Sequence, residues 1–118
     1  MKKLLLAVIV SLSTISTAAL AEIKVGIILG FTGPIETLTP AMRDSAKLAF
    51  AEVSASGALL GGETITPLIG DSTCVDSDAA VAAAELIVSD GAVAIMGADC
   101  SGVTGAIATN VAVPNGVT

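Results

Sequence analysis

Short apolar stretches alternate with stretches of helical spacing along most of this chain, and this alternation restricts the fold more than any other feature. The stretch IKVGIILG, residues 23–30, is almost continuously apolar and rich in β-branched side chains, which is typical of a strand buried on both faces. Similar short runs follow at residues 64–70 and 92–97. Between and after them, helical spacing predicts three helices, at residues 39–57, 76–91 and 101–112.

This β-α-β-α-β-α order predicts an α/β fold built on a parallel sheet. Strands that alternate with helices of this length are joined by right-handed crossovers, which place helices on both sides of the sheet. We expect a three-layer, Rossmann- or flavodoxin-like arrangement with strand order 2-1-3. A turn at residues 114–116 is followed by Val117 and Thr118, which indicate the start of a fourth strand. We therefore expect the sequence to be part of a longer chain.

Local residue types predict where the helices begin and end. Thr39 is a candidate cap for the first helix, with Pro40 at the first helical position. Asp76 and Ser77 are candidate caps for the second helix, and Gly105 is a weak position within the third. Side chains at helical spacing along the first helix are Met42, Ala46, Ala49, Phe50 and Val53.

Residues 1–21 have the three-part layout of a secretory signal peptide. Lys2 and Lys3 precede an apolar run, and a stretch of small residues ends in Ala-Leu-Ala at residues 19–21, after which cleavage is predicted. The alternative is a membrane anchor, but serine and threonine interrupt the apolar run well short of the ~20 residues that span a bilayer. The predicted mature chain begins at Glu22, with no nearby cysteine to carry a lipid.

The charge of the predicted mature chain argues against binding to nucleic acid. From residue 22 onward, eleven acidic residues stand against three basic ones, Lys24, Arg43 and Lys47. An acidic surface repels nucleic acid and anionic membranes, so neither is an expected partner. The sequence has no Trp, Tyr or His, which removes most base-stacking platforms and every catalytic scheme that needs histidine.

A ligand of an open parallel sheet binds outside the carboxyl ends of the strands, where the strand order reverses. For order 2-1-3 this point lies between strands 1 and 3, beside the loops at residues 31–38 and 98–101. Ser101 would open the third helix there, where an anionic group is favoured, although it could equally serve only as a helix cap. Neither G-x-G-x-x-G nor G-K-[ST] occurs, so no nucleotide site is predicted.

The two cysteines follow the second and third strands, at the same end of the predicted sheet. Two cysteines in an exported chain most often pair, and closing the loop between Cys74 and Cys100 would stabilise the fold by roughly 3.5 kcal/mol. A catalytic role for Cys100 would need a neighbouring base, and the sequence has no histidine. A metal site would need two further soft or nitrogen ligands. The residue types therefore favour a disulfide.

Three stretches of this sequence together resemble a known family. They read IKVGIILGFTGPI, FAEVSASGALLGGETITPLIGDSTC and AAVAAAELIVSDGAVAIMGADCSG. The T-G-P after strand 1, the D-x-x-C after strand 2 and the G-x-x-C-S after strand 3 occur in the order seen in the leucine/isoleucine/valine-binding proteins. These are periplasmic substrate-binding components of ABC transporters with two α/β lobes. The resemblance covers residues 22–118, which would form an incomplete N-terminal lobe of this type I periplasmic-binding-protein fold.

The resemblance implies roles for particular residues. The pair that matches Cys74 and Cys100 forms a disulfide in the amino-acid-binding members of the family. The residue that matches Ser101 binds the α-carboxylate of the ligand together with backbone amides, and we include Gly102 in that set. The position of Leu38 lines the cleft and is often aromatic in the family, so the leucine here departs from the pattern.

We therefore expect a periplasmic protein that captures amino acids, branched-chain or similar small carboxylates and amides, and delivers them to ABC-transporter permease subunits. The alternative is the ligand-binding ectodomain of a sensor for amides or amino acids with the same fold. An exported enzyme is disfavoured, since no base–nucleophile pair is present and the pattern predicts that four aspartates are loop and capping residues: Asp71, Asp76, Asp78 and Asp99. No cofactor, metal or nucleic acid is expected.

Overall fold

The computed structural model describes residues 22–118, so the predicted signal peptide lies outside the described residues. Its elements follow the predicted order, and their boundaries agree closely with those expected. They are β1 (Glu22–Leu29), α1 (Thr39–Ser56), β2 (Thr64–Asp71), α2 (Ser77–Ser89), β3 (Ala92–Gly97), α3 (Ser101–Ile107), a π-helical segment (Ala108–Ala112) and α4 (Val113–Asn115).

The strands form one parallel sheet in the order β2-β1-β3, which confirms the predicted α/β class and strand order. β1 lies in the centre, where Ile27 stands beside Ile69 of β2 and Met96 of β3. A central strand loses solvent on both edges and both faces. This accounts for the almost uninterrupted apolar sequence of β1.

Helices cover both faces of the sheet. On one face, Ile28 belongs to a buried cluster completed by Ala80, Ala84, Ile87, Ala92, Val103, Ile107 and Val111. Ile27 and Leu29 alternate with Ile28 along β1, so they point to the opposite face, where α1 contacts β1 and β2. All three side chains are at most 2% exposed, and burial of each stabilises the fold by about 1.5–3 kcal/mol.

The start of α1 differs from the prediction. Leu38, not Thr39, occupies the N-cap position, and no side chain caps the helix. Thr39 is the first helical residue and is fully buried, and its hydroxyl donates a 3.0 Å hydrogen bond to the carbonyl oxygen of Gly30. Its hydroxyl therefore ties the helix to the end of β1 instead of satisfying the first helical turn.

The buried face of α1 is narrower than its periodicity indicates. Ala46 and Phe50 are half-buried, whereas Met42, Ala49 and Val53 are exposed. Periodicity finds a stripe of apolar side chains on a helix, but the elements that pack against the helix decide how much of the stripe is buried.

The predicted cap of α2 is confirmed. Asp76 is the N-cap, and its carboxylate accepts 3.0 Å hydrogen bonds from the backbone N–H groups of Asp78 and Ala79. A cap of this kind stabilises a protein by about 1 kcal/mol. Ser77 is the first helical residue, and the helix ends at Ser89, slightly before the predicted Gly91.

The third helical region begins at Ser101 as predicted, but it departs from regular α-helix after the predicted weak position, Gly105. Gly105 sits in regular α-helix, and the π-helical segment lies one turn later. Pro114 explains the location, because proline has no N–H to donate to the carbonyl of Asn110 and its ring crowds that carbonyl. One residue further on, the side-chain amide of Asn115 donates a 2.8 Å hydrogen bond to the carbonyl of Val111.

The last residues return to the sheet. After Gly116 ends the helical region with φ of 66°, the carbonyl oxygen of Thr118 accepts a 2.7 Å hydrogen bond from the N–H of Ile95 in β3. Thr118 therefore lies beside β3, on the edge that does not pair with β1, and the sequence predicts that a fourth strand begins at Val117 and Thr118. Among residues 22–118, no helix combines the length and the apolar character needed to cross a membrane.

Gly97 gives a test of how tightly the ends of β1 and β3 pack. Its φ of +134° suits glycine, and a Cβ built on it would collide with the carbonyl oxygen of Ile28. Gly97→Ala is expected to lower the free energy of unfolding by about 3 kcal/mol or more, measured by urea denaturation. Gly105→Ala is the control, because a Cβ there meets no atom within 4 Å. Equal stability of the Gly97 variant and the wild type would contradict this account.

Candidate functional site

Three loops meet at the carboxyl end of the sheet, which is the end predicted to bind ligand. They follow β1 (residues 30–38), β2 (residues 72–76) and β3 (residues 98–100). Because all three strands are parallel, α1, α2 and α3 each begin at this end. The first turn of each helix therefore presents backbone N–H groups that have no partner within the helix.

Asp71, the last residue of β2, binds the loop that follows β1. One carboxylate oxygen accepts hydrogen bonds from the backbone N–H groups of Phe31 at 2.9 Å, Thr32 at 3.3 Å and Thr73 at 2.8 Å. The other oxygen accepts a 2.7 Å hydrogen bond from the hydroxyl of Thr32. Asp71 thus holds the beginning of the β1–α1 loop against the end of β2.

Burial and hydrogen bonding have opposite effects on the pKa of Asp71. Partial burial alone would raise the pKa of this carboxyl group. The hydroxyl of Thr32 and the N–H groups of Thr73, Thr32 and Phe31 favour the charged form and outweigh the burial, so that the pKa lies below its ordinary value of 3.8. Asp71 is therefore a carboxylate at neutral pH.

Asp99 binds the ends of the other two strands from the β3–α3 loop. One carboxylate oxygen accepts a 2.8 Å hydrogen bond from the N–H of Gly30, directly after β1. The other accepts a 3.3 Å hydrogen bond from the hydroxyl of Ser72, directly after β2. Ser72 is fully buried, and its own N–H donates to the carbonyl of Leu29 at 2.9 Å.

The first two loops also touch through their backbones. Gly33 has φ of +96°, and a Cβ there would collide with the carbonyl oxygen of Thr73. Thr73 and Cys74 themselves have positive φ values of 56° and 70°. The glycine of the T-G-P stretch is therefore needed for the close approach of the two loops.

A disulfide joins Cys74 in the β2–α2 loop to Cys100 in the β3–α3 loop, with a Cα–Cα distance of 5.2 Å. The strands before these loops are not neighbours, so the bridge passes over the end of β1. A Cβ built on Gly30 would lie 3.3 Å from the Cβ of Cys74, which shows how closely the bridge covers that point. Neither sulfur is a free thiol.

The three residues predicted to bind the ligand all lie at this end. Ser101 is the first residue of α3 and is exposed, while Cys100 occupies the N-cap position without a side-chain hydrogen bond. Ser101 is therefore not the cap of its helix. Gly102 is exposed, and a Cβ on it would meet no atom within 4 Å. Leu38, at the N-cap of α1, is 62% exposed.

Comparisons with known proteins identify the family of this chain. Residues 22–117 match the family described as "Periplasmic binding protein". The chain belongs to the periplasmic binding protein family. A search of the curated proteins found no match.

Solved structures give the same assignment for this periplasmic binding protein. One is the branched-chain amino acid transporter substrate-binding protein LivJ from Streptococcus pneumoniae, in complex with isoleucine: it is 26% identical with a TM-score of 0.71, over 82% of this chain and 27% of that one. An ABC transporter protein from Rhodopseudomonas palustris is 28% identical with a TM-score of 0.65, over 80% and 28% of the two chains.

A third similar structure, an extracellular ligand-binding receptor from Verminephrobacter eiseniae, is 18% identical with a TM-score of 0.66, over 75% of this chain and 24% of that one. At this identity the likeness extends to the fold alone. This periplasmic binding protein sequence thus spans about a quarter of the length of the structures that it resembles.

Sequence reasoning missed the roles of two aspartates in this periplasmic binding protein. Asp71 and Asp99 were expected to act as loop or capping residues, like Asp76, but both accept hydrogen bonds from a different loop. Their positions in the sequence could have predicted these contacts. Each aspartate lies at or just after the carboxyl end of a strand, beside the glycine-containing loop after β1, whose backbone N–H groups need acceptors.

Two further observations concern possible sites elsewhere in the described residues. No group of three or more Cys, Asp or Glu side chains in residues 22–118 is arranged to hold a metal ion. A groove of about 390 Å³ runs between β2 and α2, bordered by Leu68, Ile69, Leu86 and Ile87 among others. None of the three predicted ligand-binding residues borders it.

The Asp71 hydrogen bonds predict a specific dependence of stability on pH. Asp71→Ala is expected to lower the free energy of unfolding by about 2 kcal/mol at pH 7, because backbone N–H groups lose a charged acceptor. Because the pKa of Asp71 is lowered in the folded state, the stability that its charge provides is complete above pH 3.8 and is lost as the pH falls through the folded pKa. Thermal unfolding should therefore show that the difference in stability between the wild type and Asp71→Ala narrows below pH 4. A constant difference from pH 7 to pH 2.5 would contradict it.

Proposed function

We propose that residues 22–118 form the first lobe of a two-lobed periplasmic protein that binds amino acids for an ABC transporter. The observation that carries this proposal is the family match over residues 22–117, together with the likeness to a transporter binding protein that holds isoleucine. The proposed ligand is a branched-chain amino acid or a similar small carboxylate. The proposed signal peptide at residues 1–21 would deliver the protein to the periplasm.

The proposed contact for the ligand carboxylate is the first turn of α3. Ser101 is exposed there, and the helical region continues without a break to Asn115. The first N–H groups of a helix have no intrahelical acceptor, so a carboxylate can accept from them and from the Ser101 hydroxyl. Open space above Gly102 leaves room for the approach of such a group.

The opposite wall of this half-site would come from the β1–α1 loop. Leu38 is exposed at the same end of the sheet and offers an apolar surface of the kind that contacts an aliphatic side chain. One lobe supplies only one side of a clamp. We therefore propose that a second lobe binds the ammonium group and the rest of the side chain, and that ligand binding shifts the protein toward a closed form recognised by permease subunits.

The described residues favour binding over covalent chemistry. Both cysteines are in the disulfide, so no thiolate is present as a nucleophile. The Asp71 carboxylate accepts hydrogen bonds from backbone N–H groups and a hydroxyl, which stabilise its charged form. A carboxylate held in this way is a weak general base.

The test of this function is isothermal titration of the two-lobed protein with leucine, isoleucine and valine, and with an amine that lacks the carboxylate. We expect binding of at least one amino acid and none of the amine. Ser101→Ala is expected to weaken binding about tenfold through loss of one hydrogen bond to a charged group.

Ser77→Ala is the matched control, because Ser77 is likewise exposed and the first residue of its helix. It should leave affinity unchanged. If no amino acid binds to the wild type, the proposed function is wrong. Equal affinity of the Ser101 variant and the wild type would remove Ser101 from the site.

Gly102 gives a second test, in which stability and binding should move in opposite directions. Gly102→Leu is expected to keep or raise the melting temperature, because the space is open and leucine favours helix over glycine by up to about 1 kcal/mol. The same change should weaken amino acid binding more than tenfold by filling the space proposed for the carboxylate.

Gly105→Leu is the control for this substitution, since Gly105 lies in the same helix and its Cβ position is equally open. It should be as stable as the Gly102 variant and should bind amino acid like the wild type. Unchanged affinity in both variants would place the ligand elsewhere.

A further inference from the structure

We propose that Asp99 is a positioning residue for the amino-acid site, holding the loops after all three strands in one arrangement before the ligand arrives. This inference rests on the proposed function and adds to it a residue that does not itself contact the ligand. The Asp99 side chain joins the two halves of the site, since it belongs to the segment that leads into Ser101 and binds the segment that leads to Leu38.

The contacts of Asp99 involve every loop at this end. Its two carboxylate oxygens accept from the N–H of Gly30 at 2.8 Å and from the hydroxyl of Ser72 at 3.3 Å. Gly30 follows β1 and Ser72 follows β2, while Asp99 itself follows β3. One side chain therefore fixes the relative positions of the three strand ends.

The backbone on either side of Asp99 is also held. The hydroxyl of Thr104 in α3 lies 2.7 Å from the carbonyl oxygen of Ala98 and 2.9 Å from that of Cys100. The N–H of Thr104 donates to the Cys100 carbonyl as well, at 2.9 Å. Because Thr104 of α3 forms hydrogen bonds with the residues before and after Asp99, a displacement of the Asp99 side chain would also shift the first turn of that helix.

The disulfide cannot replace this connection. Cys74–Cys100 joins the loops after β2 and β3, but it makes no covalent link to the loop after β1. That loop is held by Asp71 at Phe31 and Thr32, and by Asp99 at Gly30. Of these, Asp99 is the one that connects it to the segment carrying Ser101.

Asparagine at position 99 separates positioning from direct charge contact. Its side-chain carbonyl can accept from the N–H of Gly30, and its amide can donate to the hydroxyl oxygen of Ser72, so both hydrogen bonds can persist without the negative charge. Alanine removes both. A positioning residue should tolerate Asp99→Asn and not Asp99→Ala, whereas a residue that binds the ligand ammonium by charge should tolerate neither.

The first measurement is amide hydrogen exchange of the full chain without ligand. Asp99→Ala is expected to speed exchange at least about fivefold at the N–H of Gly30, which loses its acceptor, and at the hydrogen-bonded N–H groups of Phe31, Thr32 and Thr104 in the adjoining segments. Asp99→Asn should stay within about twofold of the wild type. Ser72→Ala removes one of the two partners and should give a smaller increase, which keeps the test valid if the Asp99→Ala chain folds poorly.

The second measurement is amino acid affinity of the same variants by calorimetry, at a temperature where each is folded. We expect about tenfold weaker binding for Asp99→Ala and less than threefold for Asp99→Asn, since a loosened site must be ordered on binding. Asp90→Ala is the control: it also removes one negative charge, but Asp90 lies at the end of α2 that precedes β3.

The outcomes separate the two proposals. Wild-type protein that binds no amino acid, with faster exchange in Asp99→Ala and recovery in Asp99→Asn, would overturn the proposed function and retain the positioning role. Unchanged exchange in Asp99→Ala would overturn the positioning role. So would equal losses of affinity in the Ala and Asn variants, a result that instead assigns Asp99 a direct charge contact with the ligand.

Discussion

The structure depends on which groups accept hydrogen bonds from the backbone N–H groups at the end of β1. β1 is the central strand, and beyond Leu29 the partly buried N–H groups of Gly30 and Phe31 no longer have partners on the neighbouring strands. Unpaired N–H groups at a partly buried position would cost stability. Asp71 and Asp99 supply the acceptors from the two neighbouring strand ends, so one physical need of the backbone ties the three loops together.

This arrangement has a consequence for the proposed function, in which the protein closes around its ligand. A clamp binds tightly when each half is ordered before the ligand arrives, because the ordering then costs no binding energy. Here two carboxylates, a disulfide and the close contact between Gly33 and Thr73 restrain the rim of the lobe. Ser101 and Leu38 remain exposed on that restrained rim. The motion that closes such a clamp would then lie between lobes and not within this one.

Much of the fold could be predicted from the residues. Short apolar runs indicated the three strands, and the alternation with helices indicated the parallel sheet, expected in the order 2-1-3. The cap at Asp76 was predictable because an N-cap is a local feature, in which a side chain binds N–H groups two and three residues away. Thr39 has the same local pattern and yet does not cap. Its hydroxyl binds the carbonyl of Gly30 instead, and no local rule contains that contact.

The candidate site also has features that the sequence predicts and features that only the folded structure reveals. The sequence by itself determined the three strands, the helix that follows each of them and their order. It also determined that Cys74, Cys100 and Ser101 come at the carboxyl end of the sheet, since these features follow from periodicity and from parallel topology. Only the tertiary structure decided that Asp71 and Asp99 bind other loops and that the space over Gly102 is open. The reason is physical: a carboxylate binds the nearest unpaired donors, and donors 40 and 69 residues away become the nearest only after the sheet has formed.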